Sequence, residues 1–338
     1  MPVDNNYAYA IGRIRVIEKR LLDKAKFDRM IDSKSPVEAL KILFEAGYVE
    51  PSADTADKAF EYERLLKEEH KNLYSLLREI TDESEVFDIF LMKNDYHNIK
   101  VILKQEFLGQ VGQEDENNIL NSGTLPASYI KTAIRERNFE EFNLIMKEAI
   151  EECIDTFNRT HNPQQIDLIL DKACFRHMNE LADCIGHSFA KDVLNIIIDL
   201  TNINVFLRLR NLNMSGEFLR KSLLCGGVIN EDIFLGNMES DVEVFLESMK
   251  GSPYENICRT GIGELINKGS LTRFEKLADD YIIAFVKKVK YKTLGIEPLI
   301  GYLIAKENEL KNVRIVMVGK INNIAPDIIR EIMRESYV

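Results

Sequence analysis

Asn98-Ile99-Lys100-Val101-Ile102-Leu103-Lys104 returns twice farther along the chain. Asn202-Ile203-Asn204-Val205-Phe206-Leu207-Arg208 stands 104 residues later, and Asn312-Val313-Arg314-Ile315-Val316-Met317-Val318 a further 110 residues on. Each copy opens with Asn, a β-branched residue and a polar residue, and continues mostly apolar. An acid precedes the Asn by three positions in every copy: Asp95, Asp199 and Glu309. Three copies at a period near one third of 338 residues mark a triplicated chain.

The repetition extends beyond the signature. A shift of 103 superposes Phe27, Ile130 and Ile233, then Ala39, Phe142 and Phe245, then Leu43, Met146 and Met249. The thirds run 10–115, 116–220 and 221–338, with loops expected at 109–123 and 213–227. Each third is read as a short helical hairpin, a long amphipathic helix and a helix carrying the signature. Each has apolar stripes that it cannot bury alone, so neighbouring repeats must cover them. Three such repeats either stack in a line or close about a pseudo-threefold axis, and spacing alone leaves both open.

The remaining pattern is helical, which makes the expected class all-α. Residues 7–31 carry apolar positions three and four apart, from Tyr7 through Ile14 to Leu21, and read as one striped helix. Ser35-Pro36-Val37-Glu38 is a helix start, with an N-cap Ser, Pro at the first helical position and an acid in the first turn. Gly47 is placed at its C-terminal end. Long amphipathic helices are expected over 55–80, 164–185 and 270–290. The β-branched runs at 196–198 and 313–318 lack hairpin turns and are read as buried helix.

Composition narrows the function classes. The chain is 45% hydrophobic with a net charge of -11, which suits a globular protein and argues against a nucleic-acid binder. No stretch reaches the ~20 apolar residues of a membrane span, and no signal peptide is read at the N-terminus. Five cysteines at scattered positions do not form a secreted disulfide framework, so a reducing compartment is expected.

Candidate chemistry is sparse. Cys174, His177, Cys184 and His187 have short zinc-like spacings, with Cys153 and His161 upstream. On one straight helix, however, 174 and 187 lie roughly 20 Å apart. Four ligands must stand about 2.3 Å or less from one ion, so a metal-dependent helical enzyme would need a sharp break before Gly186. Gly261-Ile262-Gly263 lacks the strand and partner acid of a dinucleotide loop, and no P-loop occurs. No catalytic residue, cofactor site or metal site is assigned. The basic residues Lys100, Lys104, Arg208, Arg210, Arg314 and Lys320 recur in or just after the signature helices. They read as a solvated or salt-bridged helix face, or as a surface facing a partner. Asn98, Asn202 and Asn312 read as structural markers that cap or bridge backbone where repeats meet.

Several segments, in order, resemble the C subunit of the archaeal and bacterial V-type (A/V-type) ATP synthases, the family that includes the d subunit of vacuolar ATPases. They are Tyr7-Ala8-Tyr9 with Arg13-Ile14-Arg15, Asp95-Tyr96-His97-Asn98-Ile99-Lys100, Leu170-Asp171-Lys172, Asp199 with Asn202-Ile203, and Lys306-Glu307-Asn308-Glu309 leading to Asn312-Val313-Arg314 and Gly319-Lys320. The likeness spans the whole length. It implies an all-α funnel of three similar repeats about a pseudo-threefold axis. It also implies a non-catalytic rotor component on the cytoplasmic face of the membrane, without cofactor. Its implied partners are the D and F subunits of the central shaft and the proteolipid ring, with torque passing between them during ATP-coupled proton or sodium transport. The alternative class is a cytosolic helical-repeat scaffold unconnected with ion transport.

Overall fold

The computed structural model describes residues 5–48, 62–109 and 118–338. Within them the chain is helical and no strand occurs. In order the helices are α1 (Asn5–Glu18), α2 (Lys24–Asp32), α3 (Pro36–Glu45), α4 (Tyr62–Ile80), α5 (Glu85–Phe107) and α6 (Ala127–Glu136). There follow α7 (Leu144–Thr160), α8 (Pro163–Ile185), α9 (Ser188–Asn211), α10 (Gly216–Ser222), α11 (Glu231–Gly236) and α12 (Val242–Ser248). The last four are α13 (Glu255–Lys268), α14 (Thr272–Lys287), α15 (Glu297–Ile321) and α16 (Pro326–Ile332). Residues 1–84 and 260–338 make one compact unit and 85–259 a second.

Local chemistry sets the helix ends. Ser35 Oγ accepts the Glu38 N–H at 3.2 Å, and the Glu38 carboxylate accepts the Lys34 N–H at 2.6 Å. α3 ends in a Schellman turn: Tyr48 N donates to Leu43 O at 3.1 Å and Gly47 N to Phe44 O at 3.0 Å. Gly47 sits at φ +100°, which favours glycine. The single helix expected over 7–31 is two. α1 stops at Glu18, and Asp23 starts α2 by accepting the Lys26 N–H at 2.8 Å. The apolar stripe runs on through the buried Leu21 and Leu22, so periodicity does not register the break. The loop expected at 213–227 holds α10, started by Ser215 accepting the Phe218 N–H at 3.2 Å. Residues 110–117, in the other expected loop, and 55–61, at the start of the 55–80 helix, lie outside the described residues.

The signature helices α5, α9 and α15 bury side chains on every face, as a helix apolar all round should. In the first unit α15 packs against α1, α2, α3, α4, α14 and α16. Its Val313, Val316 and Met317 meet Phe27 and Met30 of α2, Ala39 and Leu43 of α3, Leu66 of α4 and Ile329 of α16. Gly261 lets α13 close on α14: a Cβ there would stand 2.7 Å from the Phe274 Cβ. That close approach accounts for half of the lone Gly-x-Gly. In the second unit α5 packs against α6 and α8, and α8 also against α7 and α9. Phe206 of α9 receives Phe245 of α12 at 4.4 Å between ring centroids and Phe234 of α11 at 5.8 Å. Phe234 is fully buried, whereas Ile233, superposed by the 103 shift, is only half-buried. The register there is one residue longer, and Phe27, Ile130 and Phe234 are the equivalent positions. No described helix is long and apolar enough to cross a membrane.

Phe245→Ala removes the ring that closes this aromatic cluster. It should lower unfolding stability by about 3–5 kcal/mol in chemical denaturation. Leu144→Ala, at a side chain 65% exposed, should stay within about 0.5 kcal/mol of the parent.

Candidate functional site

The three marker asparagines make one bond pattern. Asn98 Nδ2 donates to Leu120 O at 2.8 Å, and Leu120 N donates to Asn98 Oδ1 at 2.9 Å. Asn202 pairs in the same way with Leu224 at 2.9 and 2.8 Å, and Asn312 with Arg334 at 3.1 and 2.9 Å. The partner is 22 residues downstream in every case. Each amide thus supplies a donor and an acceptor to the C=O and N–H of one residue in an extended segment that has no helical partner of its own.

The acid one turn earlier fixes the residue that precedes the next hairpin. Asp95 accepts from Thr124 N at 3.0 Å, Thr124 Oγ1 at 2.6 Å and Leu125 N at 3.1 Å. Asp199 accepts from Ile229 N at 3.0 Å and from the Tyr254 hydroxyl at 3.1 Å. Glu309 accepts from Leu22 N at 2.5 Å. Leu125, Ile229 and Leu22 each stand just before the N-cap of α6, α11 and α2. The acids therefore tie α5 to the start of α6, α9 to the start of α11, and α15 to the start of α2. Gly123 and Gly227 make room for the two aspartates: a Cβ would stand 2.0 and 2.2 Å from their Oδ1 atoms. Burial pushes both aspartates above the usual carboxylate range, against the N–H and hydroxyl donors that pull them down.

A third contact recurs eight residues after each Asn. Arg210 Nη1 donates to Asn237 O at 2.7 Å and Met238 O at 3.3 Å, closing the C-terminal end of α11. Lys320 Nζ donates to Ile31 O at 3.0 Å and Ser33 O at 2.5 Å, closing the end of α2. In the first repeat the polarity is reversed. Glu106 of α5 takes the Arg137 guanidinium, and Arg137 itself donates to Ile134 O at 2.9 Å at the end of α6. Cations at a helix C-terminus satisfy carbonyls that have no partner within the helix.

Other basic positions of the signature helices also have internal partners. Lys100 pairs with Asp171 at 2.5 Å, Lys104 with Asp167 at 2.6 Å, and Arg314 with Glu63 through two bonds of 2.8 and 3.0 Å. Arg208 lies exposed on α9. The third junction adds a buried ion network. Lys306 Nζ reaches Glu309 at 2.7 Å, Glu69 at 3.2 Å and the Tyr48 hydroxyl at 3.1 Å, and lies 4.2 Å from the Tyr48 ring centroid. The Tyr48 hydroxyl donates to Glu309 at 2.6 Å. The other repeats hold Met92 and Ile196 where Lys306 stands, three residues before the acid.

The Cys/His cluster is dispersed. Cys174 is buried against Met178 at 3.8 Å, its thiol pushed up to about 12 by burial. His177 faces the Tyr96 hydroxyl at 3.3 Å, Cys184 is exposed, and His187 accepts the Ala190 N–H at 3.3 Å as the N-cap of α9. Among the described residues no group of three His, Cys, Asp or Glu side chains is placed to hold a metal ion.

Fold and contacts define an all-helical protein in which three asparagines and three acids hold backbone in one recurring pattern. The family model described as ATP synthase (C/AC39) subunit matches residues 10–332. The chain therefore belongs to the ATP synthase (C/AC39) subunit family, a component of V/A-type rotary complexes. It is 27% identical to an A-type ATP synthase C subunit of Methanocaldococcus jannaschii, over 97% of this chain and 86% of the relative. It is also 27% identical to a V-type sodium ATPase C subunit of Enterococcus hirae, over 96% of this chain and 97% of the relative. A Pyrococcus abyssi A-type ATP synthase C subunit is 23% identical over 97% of this chain and 90% of its own length.

Asn202→Asp turns a two-way amide into an acceptor facing the Leu224 carbonyl. It should destabilise the protein by about 2–3 kcal/mol, and Asn98→Asp and Asn312→Asp similarly, as read by chemical denaturation. The raised pKa of Asp95 has a definite sign. Folding favours its protonated form, so its contribution is present below about pH 4 and is lost as pH rises through the raised value. In Asp95→Asn that loss should vanish from the stability–pH curve, and a difference curve unchanged between acid and neutral pH would refute it.

Proposed function

We propose that this chain is the non-catalytic socket of the rotor. It receives the central shaft, made of the D and F subunits, and seats it on the membrane proteolipid ring at the cytoplasmic face, passing torque without a cofactor. In this reading three repeats, 10–115, 116–220 and 221–338, surround a funnel about a pseudo-threefold axis.

The observation that carries the reading is the cyclic order of the acid contacts. Asp95 holds Leu125, Asp199 holds Ile229, and Glu309 holds Leu22. A line of repeats has no reason to bond its last member to its first, whereas a closed set does. A socket under torque must resist shear, and dense helix packing fastened by buried bonds resists it better than loops. Asn98, Asn202 and Asn312 serve here as joinery. The internal partners of Lys100, Lys104, Arg210, Arg314 and Lys320 favour the same role.

The purified full chain should capture the D and F shaft subunits in a pull-down and bind detergent-solubilised ring. Binding to neither removes the socket reading. An elongated particle in small-angle scattering would favour the helical-repeat scaffold instead.

A further inference from the structure

The first two junctions each use one continuous connector. Residues 118–125 supply both Leu120, paired with Asn98, and Leu125, held by Asp95. Residues 223–229 supply both Leu224, paired with Asn202, and Ile229, held by Asp199. At the third junction the two tasks are divided. Arg334 pairs with Asn312, but the residue held by Glu309 is Leu22. The connector is present in both halves, 333–337 and 21–23, with no peptide link running from one to the other.

We propose that residues 333–338 are a strap that replaces this connector, and that its attachment keeps the α2–α3 hairpin seated on α15. It has further fastenings of its own. Asn308 Nδ2 donates to Glu335 O at 2.9 Å, and Glu335 N to Asp280 at 2.5 Å. Arg334 pairs with Asp279 at 2.9 Å, and the Glu335 side chain with Lys287 at 2.9 Å. Lys276 donates to the Met333 carbonyl. Tyr337 is buried beneath Lys290, whose Nζ stands 5.0 Å from the ring centroid. The two halves then meet: Ser336 and Tyr337 line one small cavity together with Leu21, Leu22, Phe27 and Glu309.

A covalent connector holds its hairpin near the signature helix even when local hydrogen bonds open. A strap does so only while it is bound, so the third junction should open as a unit where the others fray locally. The proposal concerns this junction alone and stands whether or not the socket reading does.

Hydrogen exchange with mass spectrometry on the full chain tests it, with Asn312→Ala set beside Asn98→Ala. Asn312→Ala should raise exchange about 10-fold both in 333–338 and across α2 and α3. Asn98→Ala should raise it over 118–125 and leave α6 within roughly twofold. Equal loosening of α6 in Asn98→Ala overturns the proposal, as does a strap that exchanges freely while α2 and α3 keep their protection. Should Asn312→Ala fail to fold, Lys290→Met weakens only the grip on Tyr337. Loosening of α2 and α3 then supports the strap, and exchange confined to 333–338 overturns it.

Discussion

The fold depends on holding extended backbone against three helices. Residues 118–125 and 223–229 run beside helices that have already used their own N–H and C=O groups. A buried peptide without a partner is destabilising by about 1–3 kcal/mol, and helix side chains must satisfy it. Asn suits the task because its short amide carries a donor and an acceptor side by side and can close a two-bond ring with the N–H and C=O of one residue. The acid three residues earlier lies about 4.5 Å down the helix on nearly the same face, where it reaches the next free N–H groups. Asn and acid are therefore one device.

This explains which parts of the structure were legible in the sequence. The Asn and acid keep their chemical type in all three copies because only those types do the work, so their recurrence could be read directly. The all-helical class followed from the three/four apolar spacing in the rest of the chain. The fasteners eight residues after each Asn could not be read, because their chemistry changes while their place does not. Arg210 and Lys320 cap carbonyls directly, whereas Glu106 delegates the task to Arg137. Viewed as sequence, Lys100, Lys104, Arg314 and these caps all look like one basic face. Only the folded chain separates those that bridge to acids from those that close helix ends.

Boundaries failed for a related reason. Hydrophobic spacing reports which side of a segment is buried, and burial continues where a helix stops. Ile17, Leu21 and Leu22 keep a helical rhythm across the turn that Asp23 ends, so α1 and α2 read as one. The Ile233 register erred by one because Ile233 and Phe234 are adjacent apolar residues, and the space beside Phe206 and Phe245 admits only one of them. Gly123 and Gly227 carried a usable signal: each stands 28 residues after its aspartate, where a Cβ would strike the carboxylate.

The third junction departs from the other two in the direction its topology requires. An aspartate suffices where one connector presents both of its peptides in sequence. Glu309 has one more methylene and reaches Leu22, which arrives from a different part of the chain. This buried carboxylate also takes a cation: Lys306 stands where Met92 and Ile196 are apolar. Lys306 in turn draws on Glu69 and the Tyr48 ring, tying α4 and the end of α3 to α15. Buried ion networks add little net stability over well-packed apolar groups, but breaking one is strongly destabilising and mispairing is punished. Such a network suits a junction with no covalent link to set its register. Phe27 and Leu43 packing on Val316 provide the adhesion, and Lys306 and Glu309 determine which segment is held there.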